Sequence, residues 1–151
     1  MIVMNNKIPP PIVTLICGLI IYYTHCLFPN CELMFLKLLS VLFLVLGLLI
    51  GFSAIFKFIK KKTTVNPVKI EQASTLVNSG IFKYTRNPMY LGMLFILMSI
   101  SLNFNLYGGI VIVLFFYLFI TRYQIIPEEK AMEKLFGEEF KNYKKTTRRW
   151  L

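Results

Sequence analysis

The sequence is poor in the residues soluble enzymes use for chemistry. It has one histidine, His25, and three cysteines, Cys17, Cys26 and Cys31, none at metal-ligand spacing. That sets aside a zinc site, or any metal centre, and a histidine-dependent triad. No GxxxxGK[ST] run occurs and no GxGxxG follows a strand pattern, which excludes a soluble Rossmann-type methyltransferase or dehydrogenase. Acidic residues number only seven against seventeen Lys or Arg, giving a net charge of +10. The basic residues stand beside apolar runs, a placement that suits anionic lipid headgroups and argues against a nucleic-acid partner.

What the chain has in plenty is apolar sequence. It is 56% hydrophobic over 151 residues, with mean hydropathy +0.64. That length holds one domain, and apolar runs near twenty residues are membrane-span candidates. Residues 1–11 are a polar lead ending in Pro9, Pro10 and Pro11, too irregular for helix interior. Ile12–Phe28 reads as a first span, retained because no small-residue cleavage site follows. Residues 29–32 form a turn, and 33–59 a second span carrying Gly47 and Gly51 at GxxxG spacing. Cys26 and Cys31 flank the turn; they can pair in an oxidising compartment, and fit equally as unpaired small residues.

Lys57, Lys60, Lys61 and Lys62 close the second span, and the positive-inside rule puts them in the cytoplasm together with both termini. Residues 60–87 are then a cytosolic loop, and 88–126 a helical hairpin reversing at Asn103–Gly109. The tail, 127–151, repeats Met132, Leu135, Phe136, Phe140 and Tyr143 at helical spacing, the pattern of an interfacial amphipathic helix. Gly137 within it weakens the helix by about 1 kcal/mol relative to Ala. The fold expected is all-α: a polytopic bundle of about four membrane segments with a C-terminal interfacial helix, its partner the lipid bilayer.

Functional polar groups collect at the cytoplasmic side, in the loop 75–90 and at Glu128 and Glu129. Asn87 is a good N-cap and Pro88 a good first helical residue, so the helix they open points free N–H groups at the basic loop. Local physics leaves two roles open for GIFKYTRNPMYLG: a positive-inside anchor, or a mouth for an anionic group. The glutamates likewise fit either solvated helix-start charges or a ligand site.

The order LVNSGIFKYTRNPMYLG, a hairpin, then PEEKAMEKLFGEEFKNYKKTTRRWL resembles the carboxy-terminal half of the isoprenylcysteine carboxyl methyltransferase family, which phospholipid N-methyltransferases share. The resemblance covers about Ser74–Trp150. It implies a helical membrane methyltransferase with S-adenosylmethionine bound at the cytosolic face under the C-terminal segment. Carried over residue by residue, cofactor contacts fall on Ser74, Thr75, Leu76, Val77, Phe82, Asn87, Pro88, Met89, Tyr90 and Glu128. Glu129 or Tyr90 is the candidate base. Gln124 and Arg122 lie where the acceptor is expected.

Departures from the family pattern bear on the acceptor. Asn87 and Ser74 stand where the prenylcysteine enzymes often have His, and Phe82 where Tyr is common. Gln124 replaces an arginine expected to meet the substrate carboxylate, and an amide lacks that bidentate fork. The expected acceptor is therefore lipophilic or small, with no carboxylate required. Two other readings are an NADPH-dependent sterol-type reductase, whose family has a similar Arg-[HN]-Pro-x-Tyr-x-Gly, and a non-catalytic membrane scaffold.

Overall fold

The computed structural model describes residues 8–29, 33–60 and 75–151. Among these every regular element is helical: α1 (Pro10–Tyr23), α2 (Met34–Lys60), α3 (Pro88–Phe104), α4 (Leu106–Ile120) and α5 (Ile126–Thr146). A π-helical turn, Thr121–Ile125, joins α4 to α5 in one continuous run of 41 residues. That run and α2 are long and apolar enough to cross a membrane; α1 and α3 are shorter apolar helices. The all-α expectation holds.

Helix ends differ from the sequence reading for local reasons. α1 begins at Pro10 because Pro9 occupies the N-cap and a proline in the first turn loses no useful donor. It stops at Tyr23, where the Thr24 hydroxyl donates to the Ile20 carbonyl at 2.6 Å, and a 3-10 turn over His25–Leu27 follows. The α3–α4 reversal takes a single residue. Asn105 Oδ1 accepts from the Gly108 N–H at 2.9 Å, so Gly108 and Gly109 lie inside α4 and not in a loop. Gly109 is needed for contact: a Cβ there would collide with Ser101.

The GxxxG pair serves a crossing within the chain. A Cβ on Gly92 of α3 would sit 2.7 Å from the Gly47 carbonyl oxygen and 3.1 Å from the Gly51 nitrogen, so α2 and α3 meet backbone to backbone. Around that crossing lie two cores. One joins Val13, Cys17 and Ile21 of α1 to Tyr90, Leu97, Phe116 and Ile120. The other, beside the end of α2, gathers Ala54, Leu76, Val77, Phe82, Phe140 and Tyr143. The α2 surface is apolar and open, Phe52 and Phe56 each 66% exposed, as a lipid-facing helix requires.

The tail corrects the sequence reading most. Gly137 adopts φ 49° and ψ −121°, breaking α5 into two pieces. Yet Glu129 and Arg149 are ion-paired at 2.7 Å, whereas twenty residues of straight helix would part them by about 30 Å. The bend is what returns the chain terminus to the start of α5. Gly137 is therefore required by its positive φ, and Ala there is the costlier residue.

Candidate active site

Four segments meet at one end of the bundle: the close of α2, the start of α3, the π-helical turn, and the terminal residues. The loop into α3 is pinned first. Gly80, at φ 68°, opens a 3-10 turn over Gly80–Lys83, with the Lys57 side chain lying across it. Tyr143 Oη donates to the Phe82 carbonyl at 2.5 Å, and the Phe82 ring packs edge-on to Phe58 at 5.3 Å between centroids. Burial of its hydroxyl pushes the Tyr143 pKa well above its ordinary value.

Next comes a strap formed by the last residues. The Arg86 N–H donates to the Arg148 carbonyl at 3.0 Å, while Asn87 Nδ2 and Thr85 Oγ1 donate to the Arg149 carbonyl at 2.9 and 3.3 Å. Trp150 Nε1 donates to Thr121 Oγ1 at 3.1 Å, its ring 4.9 Å from that of Tyr117. Asn87 thus does not cap α3 as expected: Arg149 takes its amide, and the first-turn N–H groups of α3 have no side-chain cap.

The two adjacent glutamates lie in different surroundings. Glu129 is buried and saturated: Arg86 Nη2 donates to Oε1 at 2.7 Å, and Arg149 donates from Nε to Oε1 at 3.0 Å and from Nη2 to Oε2 at 2.7 Å. Glu128 is partly buried, and among the described residues its one side-chain partner is Tyr90, whose hydroxyl donates to Oε1 at 2.5 Å. Withdrawal from water pushes the Glu128 pKa up to about 8; Tyr90's hydrogen bond opposes this and the Glu129 charge reinforces it. Glu128 stands two residues past the apolar stretch that ends at Ile126.

Of the remaining residues singled out, Leu76, Val77 and Phe82 are packed into the second core, with Met89 against it and Pro88 buried. Thr75 and Arg122 are exposed. Gln124 is buried one turn before Glu128, its Nε2 donating to the Ile8 carbonyl at 2.9 Å. Ser74 lies outside the described residues, as does Cys31, the partner considered for the exposed Cys26. Tyr90 and Glu128 are therefore partners, Gln124 precedes Glu128 by one turn, and Glu129 belongs to a separate ionic knot. A polar groove of about 410 Å³ opens beside Asn78, Lys83 and Asn142, away from Tyr90 and Glu128. Arg149 and Thr85 were not legible as site residues, since neither has a local pattern pointing to the other.

Comparison with known proteins adds three findings. The family model described as phospholipid methyltransferase matches residues 35–139. An uncharacterized protein of Haemophilus influenzae is 41% identical over 66 residues, which is 42% of this chain and all of that protein. No solved structure matches.

Proposed function

Because this chain belongs to the phospholipid methyltransferase family, we propose that it is a multi-pass membrane enzyme moving a methyl group from S-adenosylmethionine to a lipophilic or small acceptor. The observation that carries the reading is the Tyr90–Glu128 pair. A partly buried carboxylate answered only by a phenol lacks a countercharge among the described residues, which is costly unless a ligand supplies one. The ammonium or ribose hydroxyls of the cofactor meet that need. The uncapped amides opening α3 suit its carboxylate.

When bound, S-adenosylmethionine supplies a methyl group activated by its sulfonium. The chain's own task is to align that methyl with the acceptor and keep water away. Tyr90 and Glu128 fix the donor end. Glu129, with both oxygens held by guanidinium groups, positions Arg86 and Arg149 in this reading. That leaves Glu128, once a bound cation holds it ionised, as the group able to take up a proton through the Tyr90 hydroxyl.

The topology proposed is α1 to α4 as four membrane segments, termini cytoplasmic, α5 at the interface. In support, Lys57, Lys60, Arg86 and the basic tail all gather at the end where α2 closes and α3 opens. The bond from Gln124 to Ile8 brings the start of α1 to that end as well. With 14 and 17 residues, α1 and α3 are about 21 and 26 Å long, and local bilayer thinning accommodates them.

Isothermal titration of detergent-purified protein with S-adenosylmethionine and with NADPH tests the reading. Saturable binding of the first is expected, weakened at least about tenfold in Glu128→Gln and in Tyr90→Ala. Binding of NADPH alone points to the reductase, and binding of neither to a scaffold.

A further inference from the structure

Gln124 carries a feature the methyl-donor site does not use. The side chain is 3% exposed, its Nε2 is spent on the Ile8 carbonyl at 2.9 Å, and its Oε1 is buried with no partner among the described residues. The sense of the amide is fixed. A carbonyl only accepts, so turning the amide over would set oxygen against oxygen. Nor do the residues after Ile8 offer a donor, because Pro9, Pro10 and Pro11 have no N–H.

A buried acceptor left without a donor is rare and costly, and calls for an explanation in function. Two features of its setting supply one. Gln124 sits in the π-helical turn Thr121–Ile125, a distortion frequent at functional sites. Glu128, which holds Tyr90, follows four residues later, so Gln124 lies one helical turn from that pair. An amine or hydroxyl head has the proton that the Gln124 oxygen lacks. A carboxylate head has none to give and sets oxygen against oxygen.

We infer that Gln124 is a specificity-determining residue, its Oε1 accepting a hydrogen bond from an N–H or O–H on the methyl acceptor, with the Ile8 carbonyl setting its direction. This rests on the methyltransferase reading and adds to it the polarity of the acceptor's head group.

The test compares dodecylamine with dodecanoate as ligands of the full chain in detergent, by calorimetric titration that needs no turnover. Wild type should bind the amine at least tenfold more tightly than the carboxylate. Gln124→Leu should lose at least fivefold of the amine affinity, with the affinity for S-adenosylmethionine unchanged. Gln124→Arg keeps a donor for Ile8 and removes the acceptor, so it should invert the preference, and it keeps the test informative if the leucine variant does not fold. In turnover with labelled methyl donor the loss should appear in KM for the amine and not in kcat. An amine-to-carboxylate ratio unchanged in Gln124→Arg, or a wild type that prefers dodecanoate, overturns the inference. If S-adenosylmethionine fails to bind while the ratio shifts as expected, the methyltransferase reading falls and the role of Gln124 in head-group selection stands.

Discussion

Glu129 is the residue whose removal separates the structural reading from the one its sequence position suggests. Two guanidinium groups converge on it, each at 2.7 Å. The Arg86 side chain is only 10% exposed, so Glu129→Ala leaves a cation withdrawn from water with no countercharge. Breaking a buried pair from one side costs about 3–5 kcal/mol. Arg149 contributes less, because its side chain is 37% exposed and surface pairs are worth about 0–1 kcal/mol. Arg149→Ala should therefore cost about 1 kcal/mol, since its carbonyl still receives Asn87 and Thr85. The assay is denaturant unfolding of the detergent-solubilised protein, with S-adenosylmethionine binding followed on the folded fraction. If Glu129→Ala stays within about 1 kcal/mol of wild type while methyl transfer collapses, the ionic knot is not structural and Glu129 is a catalytic base.

Three further outcomes are expected. Gly92→Ala drives a Cβ to 2.7 Å from the Gly47 carbonyl oxygen and should cost about 1–3 kcal/mol in unfolding experiments. Gly51→Ala, with nothing within 4 Å of its Cβ, should be neutral or stabilising; equal losses in the two would refute the crossing. Gly137→Ala, at φ 49°, should cost about 1–3 kcal/mol and loosen the strap, read as faster hydrogen exchange at Arg86 and Asn87; unchanged exchange would show that the bend does not depend on Gly. Glu128, with its folded pKa raised from 4.5 to about 8, holds its proton more tightly folded than unfolded, so its contribution to stability is complete below about pH 4.5 and is lost as pH climbs through 8. Unfolding measured across that window should lose this slope in Glu128→Gln, and a slope that persists would place its origin elsewhere.

The helices were legible because long apolar runs advertise themselves through composition, and their ends less so. The proline cluster at 9–11 reads as a break when each proline is taken alone, but at a first turn the missing N–H costs nothing, so α1 begins among them. The glycines misled for a related reason. Gly108–Gly109 carries a turn signature, and only the closeness of Ser101 shows that its small size serves packing. Gly51 and Gly47 have the spacing of a dimer motif, and only the position of Gly92 shows that the partner is in the same chain. In each case the residue type was informative and its use was set by a neighbour distant in sequence.

The glutamate pair is the sharpest instance. Adjacent residues on a helix point about 100° apart, so Glu128 and Glu129 cannot share one environment however alike they look in sequence. Which of the two is left without a guanidinium partner depends on where Arg149 lands, and that depends in turn on the reversal at Gly137 twelve residues before it. Local pattern can place both carboxylates at the start of α5 and can note that each suits the helix dipole. It cannot tell that Arg86 and Arg149 will neutralise the second and leave the first facing Tyr90. The chemistry assigned to Glu128 is thus a consequence of a backbone bend and an arginine near the end of the chain, and disturbing either should alter its proton affinity without touching the glutamate itself.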